Sequence, residues 1–309
     1  MTAAEQVEDL RPRAFAIAYR MLGSVSEAED VVQESLLRLH QALEGGESIA
    51  SPPAYLSTIV TRLAIDELRS ARVRREVYVG EWLPEPLLTT GEDDPAAQVE
   101  IADSLSVGFL VLLESLSPEQ RAAFLLREVF DYPYDRIAEI IGKSEAASRQ
   151  LVSRARRQVD ERRPRFETSR EQADRLAERF FAAVGEGDLG GLESLLAEDV
   201  GLHGDGGGKV PALARPVSGR SRVARTIAAW VRASTRVGAT LRRVQVNGAP
   251  GAEYLDPEGR VIGVMSIEIR GGRIQAVRSV VNPDKLGHLG PLADVNALLR
   301  IRRGAEPDG

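Results

Sequence analysis

The 309-residue chain has no cysteine, only three histidines and few aromatic side chains, which make up 5% of its residues. The absence of cysteine excludes disulfides and thiolate metal sites and is typical of a reducing cytoplasm. The histidines are far apart in the sequence, so no metal site is expected. The longest strongly apolar run, residues 107–113, is too short to span a bilayer, and residues 1–10 do not resemble a signal peptide. The composition therefore predicts a cytoplasmic protein without a membrane partner.

Acidic side chains are concentrated in one short segment. The chain has a formal net charge of −6, and residues 80–103 carry seven acidic side chains and no basic one. Residues 104–165 carry 11 basic and nine acidic side chains. The overall acidity argues against nucleic-acid binding over the whole surface, but it is compatible with binding at particular faces.

The first 78 residues have the apolar spacing of helices. One segment ends at Gly23, a typical C-cap residue, and the next begins at Ser24 or Ser26, both of them favourable N-caps. A third helix is expected over residues 54–77, with its apolar side chains facing inward. Five arginines are expected to face outward from it: Arg62, Arg69, Arg72, Arg74 and Arg75.

A second helical block extends from about residue 101 to residue 163. Ser117 and Pro118 are the expected cap and first residue of one of its helices. Residues 137–156, "IAEIIGKSEAASRQLVSRAR", have the layout of a helix, a glycine-containing turn and a second helix. Two structures fit this layout: a DNA-binding helix-turn-helix and a packed helical hairpin without such a role.

The residue types on the second of these helices favour DNA. If Ser148, Val152 and Ala155 face inward, a polar and basic face remains exposed. Arg and Gln suit bidentate contacts to base edges, and the N-terminal residues of a recognition helix read the bases. We therefore expect base readout by Glu145, Arg149 and Gln150. The other candidates on this face are Ser153 and, for contacts to phosphates, Arg154, Arg156 and Arg157.

From about residue 170 the pattern changes to that of an α+β domain. Two helices flank segments of strand character, and Gly271-Gly272 between two β-rich runs predicts a hairpin. Helices followed by a run of antiparallel strands indicate an α+β fold. His203 and Asp205 lie two residues apart and could form an acid–base pair, but the three glycines that follow favour a structural turn. Residues 301–309 are expected to be disordered.

Three segments, in this order, resemble a bacterial sigma factor of the extracytoplasmic-function group. They are "AFAIAYRMLGSVSEAEDVVQESLLRLHQ", "YLSTIVTRLAIDELRSARVRRE" and "LSPEQRAAFLLREVFDYPYDRIAEIIGKSEAASRQLVSRARR". The resemblance implies two all-α sigma domains. Region 2, residues 1–78, would bind core RNA polymerase and the promoter −10 element, and region 4, residues 104–165, would read the −35 element. The acidic linker, residues 79–103, would thread into the RNA channel of the polymerase, or would be a solvated spacer.

The resemblance also assigns roles to particular residues. Asp30, Gln33, Glu34 and Arg38 can share one helical face and are expected to contact the polymerase, although such charged faces are usually only solvated. The −10 element is expected to be contacted by Arg62, Asp66, Arg69 and Arg72. Because aromatic side chains are scarce near this helix, the residue that would hold an extruded base is left open.

Residues 170–300 resemble the SnoaL-like branch of the cone-shaped α+β fold of nuclear transport factor 2, as fused to a subset of these sigma factors. The motifs "WLPEP", "DGGGK" and "NPDKL" carry the resemblance. It implies control of the sigma domains in cis, in place of a separate anti-sigma factor, and we expect Trp82 and Leu83 to dock near "DGGGK" or "NPDKL". The interdomain and regulatory residues would be Trp82, Leu83, Pro84, Asp205, Lys209, Asn282, Pro283, Asp284 and Lys285.

The expected function is that of an alternative sigma factor, which is not an enzyme and needs no cofactor. Its expected partners are core RNA polymerase and promoter DNA. A second hypothesis is a SnoaL-like isomerase or binding domain, with an unknown small-molecule ligand, coupled to a DNA-targeting module. A third is a plain DNA-binding repressor, against which the acidity and the single helix-turn-helix argue.

Overall fold

The computed structural model describes residues 7–89, 104–161 and 168–298. These residues form two compact units, one made of residues 7–77 and 109–161 and the other of residues 78–89, 104–108 and 168–298. The chain thus enters the second unit at residue 78 and returns to the first before the second is completed. Most of the acidic linker, and the tail expected to be disordered, lie outside the described residues.

The first unit is helical, as the apolar spacing predicts. Its three N-terminal helices are α1 (Arg11–Leu22), α2 (Val25–Glu44) and α3 (Pro52–Glu76). The later helices are α4 (Val107–Leu113), which begins in the second unit, α5 (Pro118–Glu128), α6 (Tyr134–Ile141) and α7 (Glu145–Asp160).

The helix ends follow from the local sequence. Gly23 adopts the left-handed conformation (φ 68°) that ends α1, and its amide donates to the carbonyl of Tyr19 at 2.8 Å. The Ser24 hydroxyl accepts the Glu27 amide at the start of α2. Ser117 and Gln120 form a reciprocal capping box before α5. These expectations from the sequence are confirmed, because cap chemistry depends on neighbouring residues alone.

The helix-turn-helix is formed by α6 and α7. Gly142, with φ 66°, ends α6 in the left-handed conformation, and the Ser144 hydroxyl accepts the Ala147 amide to begin α7. The buried residues that pack this pair together with α5 are Ala123, Leu126, Tyr132, Ile137, Ile140 and Val152. The expected layout is confirmed.

In the part of the second unit that the structure describes, three long or medium α-helices pack on one sheet. The helices are α8 (Arg170–Glu186), α9 (Leu189–Leu195) and α10 (Arg220–Arg236). The strands are β1 (Leu88–Thr89), β2 (Leu196–Asp205), β3 (Val217–Ser218), β4 (Thr240–Val246), β5 (Ala249–Leu255), β6 (Val261–Arg270) and β7 (Arg273–Val280). Their order in the sheet is β1-β4-β5-β6-β7-β2-β3.

The sheet departs from the expected antiparallel run at one place. β2 pairs with β7 in parallel, with Leu202 opposite Val277, while every other pair of neighbouring named strands is antiparallel. Alternating side chains encode which face of a strand is buried, not the direction of its neighbour, so sequence alone could not show this. The hairpin at Gly271 and Gly272 has the expected positive φ angles of 58° and 67°.

The core of the second unit lies between the sheet and its helices. Phe180 and Phe181 of α8 stack edge to face, with ring centroids 5.2 Å apart, and pack with residues of α9, α10 and the central strands.

One edge strand of the sheet comes from the linker. Leu88 and Thr89 form β1 and pair with Val246 and Gln245 of β4. The sequence did not predict this added strand.

Candidate nucleic-acid interface

Helix α7 presents a polar and basic face to solvent. Ser148, Val152 and Ala155 are buried, as expected, which orients the opposite side of the helix outward. All the residues expected at the −35 element are exposed: Glu145, Arg149, Gln150, Ser153, Arg154, Arg156 and Arg157. The face therefore has the donors and charges that base edges and phosphates require.

Two arginines of this face are held in defined positions. Arg149 donates to Glu145 Oε1 at 2.5 Å, and its guanidinium lies 4.3 Å from the ring centroid of Tyr134. Arg156 donates to Glu128 at 2.6 Å. These contacts are exposed, so each contributes little to stability, but they limit the directions that the guanidinium groups sample.

The basic face of α3 is not free, although Arg62, Arg69 and Arg74 are exposed as expected. Arg62 donates from Nε to the carbonyl of Ile140 and from Nη2 to that of Glu139, both at 2.9 Å. These carbonyls belong to the last turn of α6, where the helix leaves its acceptors unpaired and the helix dipole favours a cation. One arginine expected at the −10 element thus caps a helix of the helix-turn-helix.

The next two candidates on α3 also contact the second helical block. Arg69 pairs with Glu119 at 2.5 Å as well as with Asp66 at 2.8 Å. Arg72 donates to the carbonyl of Leu116. The residues expected to hold the melted strand are therefore engaged by protein acceptors, because α3 packs against α5 and α6 within the first unit.

A buried ionic cluster, which the sequence analysis missed, lies beside these contacts. Glu114 pairs with Arg121 at 2.5 Å and also with Arg75, which was expected to point outward but is largely buried. Arg121 is fully buried and donates from Nε to the carbonyl of Arg20 at 3.0 Å. A useful signal was available, since Arg121 lies one helical turn before the apolar Leu125, on the inward face of α5.

The cluster shifts the proton affinities of its members. Burial lowers the pKa of Arg121, although the neighbouring Glu114 carboxylate opposes that shift. For Glu114, burial alone would raise the pKa, but the charges of Arg121 and Arg75 outweigh it and hold the pKa below its ordinary value. Glu114 is thus the counter-ion that makes burial of Arg121 tolerable.

The candidate polymerase face lies on α2. Asp30, Gln33, Glu34 and Arg38 are all exposed, and Glu34 pairs with Arg38 at 2.7 Å. Leu37, which sequence reasoning did not select, is 49% exposed on the same side of the helix. An apolar side chain surrounded by charged ones is the composition of a protein interface, with a hydrophobic centre and a polar rim.

Residues 78–89, here called the docked segment, lie on the second unit and meet the carboxylate of Asp205. Asp205 is fully buried at the end of β2. Its Oδ1 accepts the Tyr78 hydroxyl at 2.5 Å and the Gly207 amide at 3.1 Å. Its Oδ2 accepts the Leu83 amide at 2.8 Å and the Lys285 ammonium at 2.7 Å. Both oxygens are therefore satisfied by donors from three separate parts of the chain.

The ammonium of Lys285 is enclosed by the docked segment. It also donates to the carbonyl of Leu83, and it lies 4.2 Å from the ring centroid of Trp82 and 5.0 Å from that of Tyr78. Only 7% of the Lys285 side chain is exposed. Burial, and then the hydrogen bond to Asp205, raise the pKa of the Tyr78 hydroxyl, so it stays a donor. Trp82 and Leu83 thus dock between "DGGGK" and "NPDKL", as their positions in the motifs suggested.

The remaining motif residues support this arrangement. Asn282 donates to the Tyr78 hydroxyl at 2.8 Å, and its own Oδ1 accepts the Asp284 amide at 3.1 Å. Lys209 and Asp284 form an exposed ion pair at 2.5 Å. Pro84 is buried, and Pro283 begins a short 3₁₀ turn that includes Lys285. Tyr78, outside all three motifs, is the member of this group that sequence reasoning missed.

Asn247 forms hydrogen bonds with the chain on both sides of residues 90–103, at Leu87 and at Leu105. Its backbone amide donates to the Leu87 carbonyl at 2.7 Å, and its side-chain oxygen accepts the Leu87 amide at 2.9 Å. Its side-chain nitrogen donates to the carbonyl of Leu105 at 3.0 Å. The residue is fully buried with φ 53°, a left-handed conformation that Asn tolerates. The Asn-Gly pair at 247–248 was a recognisable turn signal, but not a sign of this contact.

The structure does not support an acid–base pair at His203 and Asp205. His203 Nδ1 lies 2.8 Å from Glu81 Oε1 of the docked segment, while Asp205 already accepts four hydrogen bonds. A cavity of about 540 Å³ lies elsewhere in the unit, between α8, α10 and β4, with Tyr254 in its lining. Neither His203 nor Asp205 lines that cavity.

The described parts of the chain offer neither a metal site nor a membrane-spanning helix. Residues 7–89, 104–161 and 168–298 contain no group of three His, Cys, Asp or Glu side chains arranged to hold a metal ion. None of the helices within these ranges combines the length and the apolar character that crossing a membrane requires.

Comparisons with known proteins agree with this architecture. A model of sigma-70 region 2 matches residues 6–74, one of sigma-70 region 4 matches residues 107–159, and one of the SnoaL-like domain matches residues 177–280. The chain is 40% identical to the ECF RNA polymerase sigma factor SigJ of Mycobacterium tuberculosis, over 91% of this chain and 92% of SigJ. It is 32% identical to the probable ECF RNA polymerase sigma factor SigI of that species, over 88% and 91% of the two chains.

The similarity extends to three dimensions. The crystal structure of Mycobacterium tuberculosis extracytoplasmic function sigma factor SigJ superposes with a TM-score of 0.74 at 37% identity, covering 94% of this chain and 99% of that chain. The helical unit and the α+β domain are therefore shared in fold.

Proposed function

Since the chain belongs to the extracytoplasmic-function sigma factors, which direct transcription with RNA polymerase, we propose that α2 binds the polymerase core and that α7 and α3 read promoter DNA. The chain is a transcription factor and not an enzyme, like its relatives. We further propose that the SnoaL-like domain modulates this activity in cis and that the protein works in the cytoplasm.

The exposed face of α7 is the observation that carries the DNA-binding part. Arg149 and Gln150 lie in the N-terminal half of the helix, where base readout is expected, and Arg154, Arg156 and Arg157 follow toward its C-terminal end. Among the residues that the structure describes, only Glu145 and Glu128 form ion pairs with arginines on the outer side of this helix, and they can release these partners at low cost.

The α3 contacts imply an exchange of partners. Arg62, Arg69 and Arg72 bind carbonyls and a carboxylate of the second helical block, and the same donors suit DNA phosphates. We infer that these arginines leave their protein acceptors when the −10 element binds. The free chain would then hold this surface closed until polymerase and promoter supply better partners.

Modulation in cis is supported by the position of the docked segment. It joins the two sigma regions in sequence, yet Asp205, Asn247 and Lys285 of the SnoaL-like domain bind it. A linker that threads into the polymerase channel cannot keep those contacts along its whole length. Docking and polymerase binding would therefore be coupled, and the coupling acts equally in both directions.

The decisive experiment is transcription by purified core polymerase with the full chain, on promoters selected from a random pool. We expect initiation at a defined sequence only when the chain is present. Absence of promoter-specific initiation would overturn the proposal. The assay needs no further protein. We expect that control of this sigma factor does not require a separate anti-sigma factor.

A small-molecule ligand is the alternative for the C-terminal domain. The cavity beside Tyr254 is a candidate site for a ligand, and neither His203 nor Asp205 lines it as acid or base. If the C-terminal domain takes a small molecule, this arrangement favours binding of the molecule over its isomerisation.

A further inference from the structure

The SnoaL-like domain contains a long segment with charge of one sign. Residues 206–252 include nine lysines and arginines and no aspartate or glutamate, in a chain whose net charge is −6. Several of these basic side chains have partners within the unit: Lys209 pairs with Asp284, Arg242 with Glu253, and Arg220 donates to the Leu196 carbonyl. The basic residues of α10 that follow Arg220 have no such partners among the described residues.

Four arginines of α10 form one exposed stripe. Arg222, Arg225, Arg232 and Arg236 are all exposed, and they follow the three- and four-residue spacing of one helical face, with the exposed Ala229 at its centre. None of the four makes a side-chain hydrogen bond or ion pair with any residue that the structure describes. This arginine stripe therefore contrasts with α3, whose arginines are engaged.

The rest of the unit holds the stripe in place. Val223, Ala224, Ile227 and Ala228 form the opposite, buried face of α10, and the first three belong to the core of the domain. The four guanidinium groups are thus carried on a fixed helix, over about 21 Å from the first to the last at the rise of an α-helix. Their charges repel one another at three- and four-residue spacing, so the stripe does not stabilise the helix itself.

We propose that the arginine stripe of α10 binds the phosphate backbone of duplex DNA, independently of sequence, and so gives the SnoaL-like domain a direct contact to the promoter. Duplex DNA presents a dense row of negative charge along its axis, and Arg is the side chain best suited to bind phosphate oxygens. The proposal rests on the proposed function, since it adds a contact to DNA that the sigma regions bring to the protein.

The test compares three double variants of the full chain that each remove two positive charges. R222Q/R225Q and R232Q/R236Q alter the stripe. R175Q/R179Q alters two exposed arginines of α8, where Arg175 pairs with Glu171, and is the matched control. Binding of a fluorescent random-sequence 30-bp duplex is measured by anisotropy from 50 to 200 mM salt.

We expect each stripe variant to bind more weakly and to reduce the slope of log affinity against log salt by up to about 1.8, or about 0.9 for each lost phosphate contact. The loss should be the same on duplexes of unrelated sequence. The control should keep the wild-type slope.

Three results would overturn the inference: wild-type slopes in both stripe variants, no binding of the duplex by the wild-type chain at 50 mM salt, or weakened binding to core polymerase in place of DNA. The last would identify an acidic protein surface as the partner. Failure of the proposed function is separate, because then the wild-type chain itself would not initiate transcription with core polymerase.

Discussion

At the scale of single residues, Arg149 is the most informative position on α7. Its guanidinium is held between Glu145 and the ring of Tyr134. It lies near the N-terminus of α7, the part of a recognition helix that contacts the bases. Arg149→Ala should weaken binding of the selected −35 sequence by about 1–3 kcal/mol if the contact to the base is bidentate. Competition between the selected duplex and one changed at the contacted base measures this.

The control for Arg149 is Arg156→Ala on the same exposed face. Arg156 is expected to contact phosphate, so its loss should weaken binding to both duplexes equally. An equal loss on both duplexes for Arg149→Ala would contradict base readout and make that residue a phosphate contact as well.

Leu37 tests the polymerase face. Leu37→Asp places a charge at the apolar centre of the face formed with Gln33, Glu34 and Arg38. Because Leu37 is half exposed in the free chain, its burial at an interface is worth only half of the about 1.5–3 kcal/mol of a fully exposed leucine. The introduced carboxylate adds the cost of burying an unpaired charge, so affinity for core polymerase should fall by at least about tenfold in a titration with labelled chain. Val73→Asp, at another exposed apolar residue, is the control. Unchanged affinity in the Leu37 variant would place the interface elsewhere.

Lys285 and Lys209 are both paired with aspartates, yet they should differ greatly in their effect on stability. Lys285→Met leaves the buried carboxylate of Asp205 without its cation and should destabilise the second unit by about 3–5 kcal/mol. Lys209→Met removes an exposed pair with Asp284 and should cost about 0–1 kcal/mol. Urea unfolding of the full chain compares the two, and equal effects would show that the cluster is not a buried ion pair in solution.

At the scale of elements, Glu114 joins α3, α4 and α5 through Arg75 and Arg121. Its pKa is held below the ordinary value near 4.5 by these arginines despite burial, so its ion pairs stabilise the fold above that pH. The stabilisation is lost as pH falls through the lowered pKa. Glu114→Gln should therefore cost about 3–5 kcal/mol at pH 7 and less at the most acidic pH at which the wild-type chain stays folded.

Thermal or urea unfolding of wild type and Glu114→Gln at the two pH values checks this. Glu128→Gln, which removes the partner of the exposed Arg156, is the matched control and should have little effect at either pH. A difference between Glu114→Gln and wild type that is the same at both pH values would contradict the ionic account.

Helix ends and helix faces were largely predictable from sequence, whereas contacts between elements were not. Gly23, Ser117 and Gly142 act through neighbours in sequence, and the buried side of α7 follows from apolar spacing. The engagement of Arg62 by α6 depends on packing between residues nearly 80 positions apart. The sequence pattern of a basic residue on an outward helix face is the same whether the residue contacts solvent or the carbonyls of another helix.

The candidate residues divide in the same way. The exposed positions on α7 and α2 were identified from spacing and from resemblance, because both depend on a single helix. Tyr78, Asn247 and Glu114 were missed, since each acts by joining segments that are distant in sequence. The parallel pairing of β2 with β7 was missed for the same reason.

At the scale of the whole molecule, the docked segment, which begins the linker between the sigma regions, belongs to the C-terminal unit. Trp82→Ala removes the ring over Lys285 and should loosen the docked segment, because the ammonium loses a cation–π contact worth about 2 kcal/mol when desolvated. Hydrogen exchange at the Leu83 amide should become faster, and transcription with core polymerase should change. Unchanged exchange and unchanged transcription would contradict a regulatory role for docking.

The cluster around Asp205 also has a consequence for the order in which the protein is made. Lys285 follows Leu83, whose carbonyl it binds, by 202 residues. At a synthesis rate of about 5–20 residues per second, the ribosome completes the partner about 10–40 s after the docked segment. Region 4, which ends at residue 165, is completed within that interval, so both sigma regions then exist without the contacts that hold the docked segment. Under the proposed control in cis, a newly made chain would pass through an unregulated state, and any messenger truncated before codon 285 would leave it there permanently.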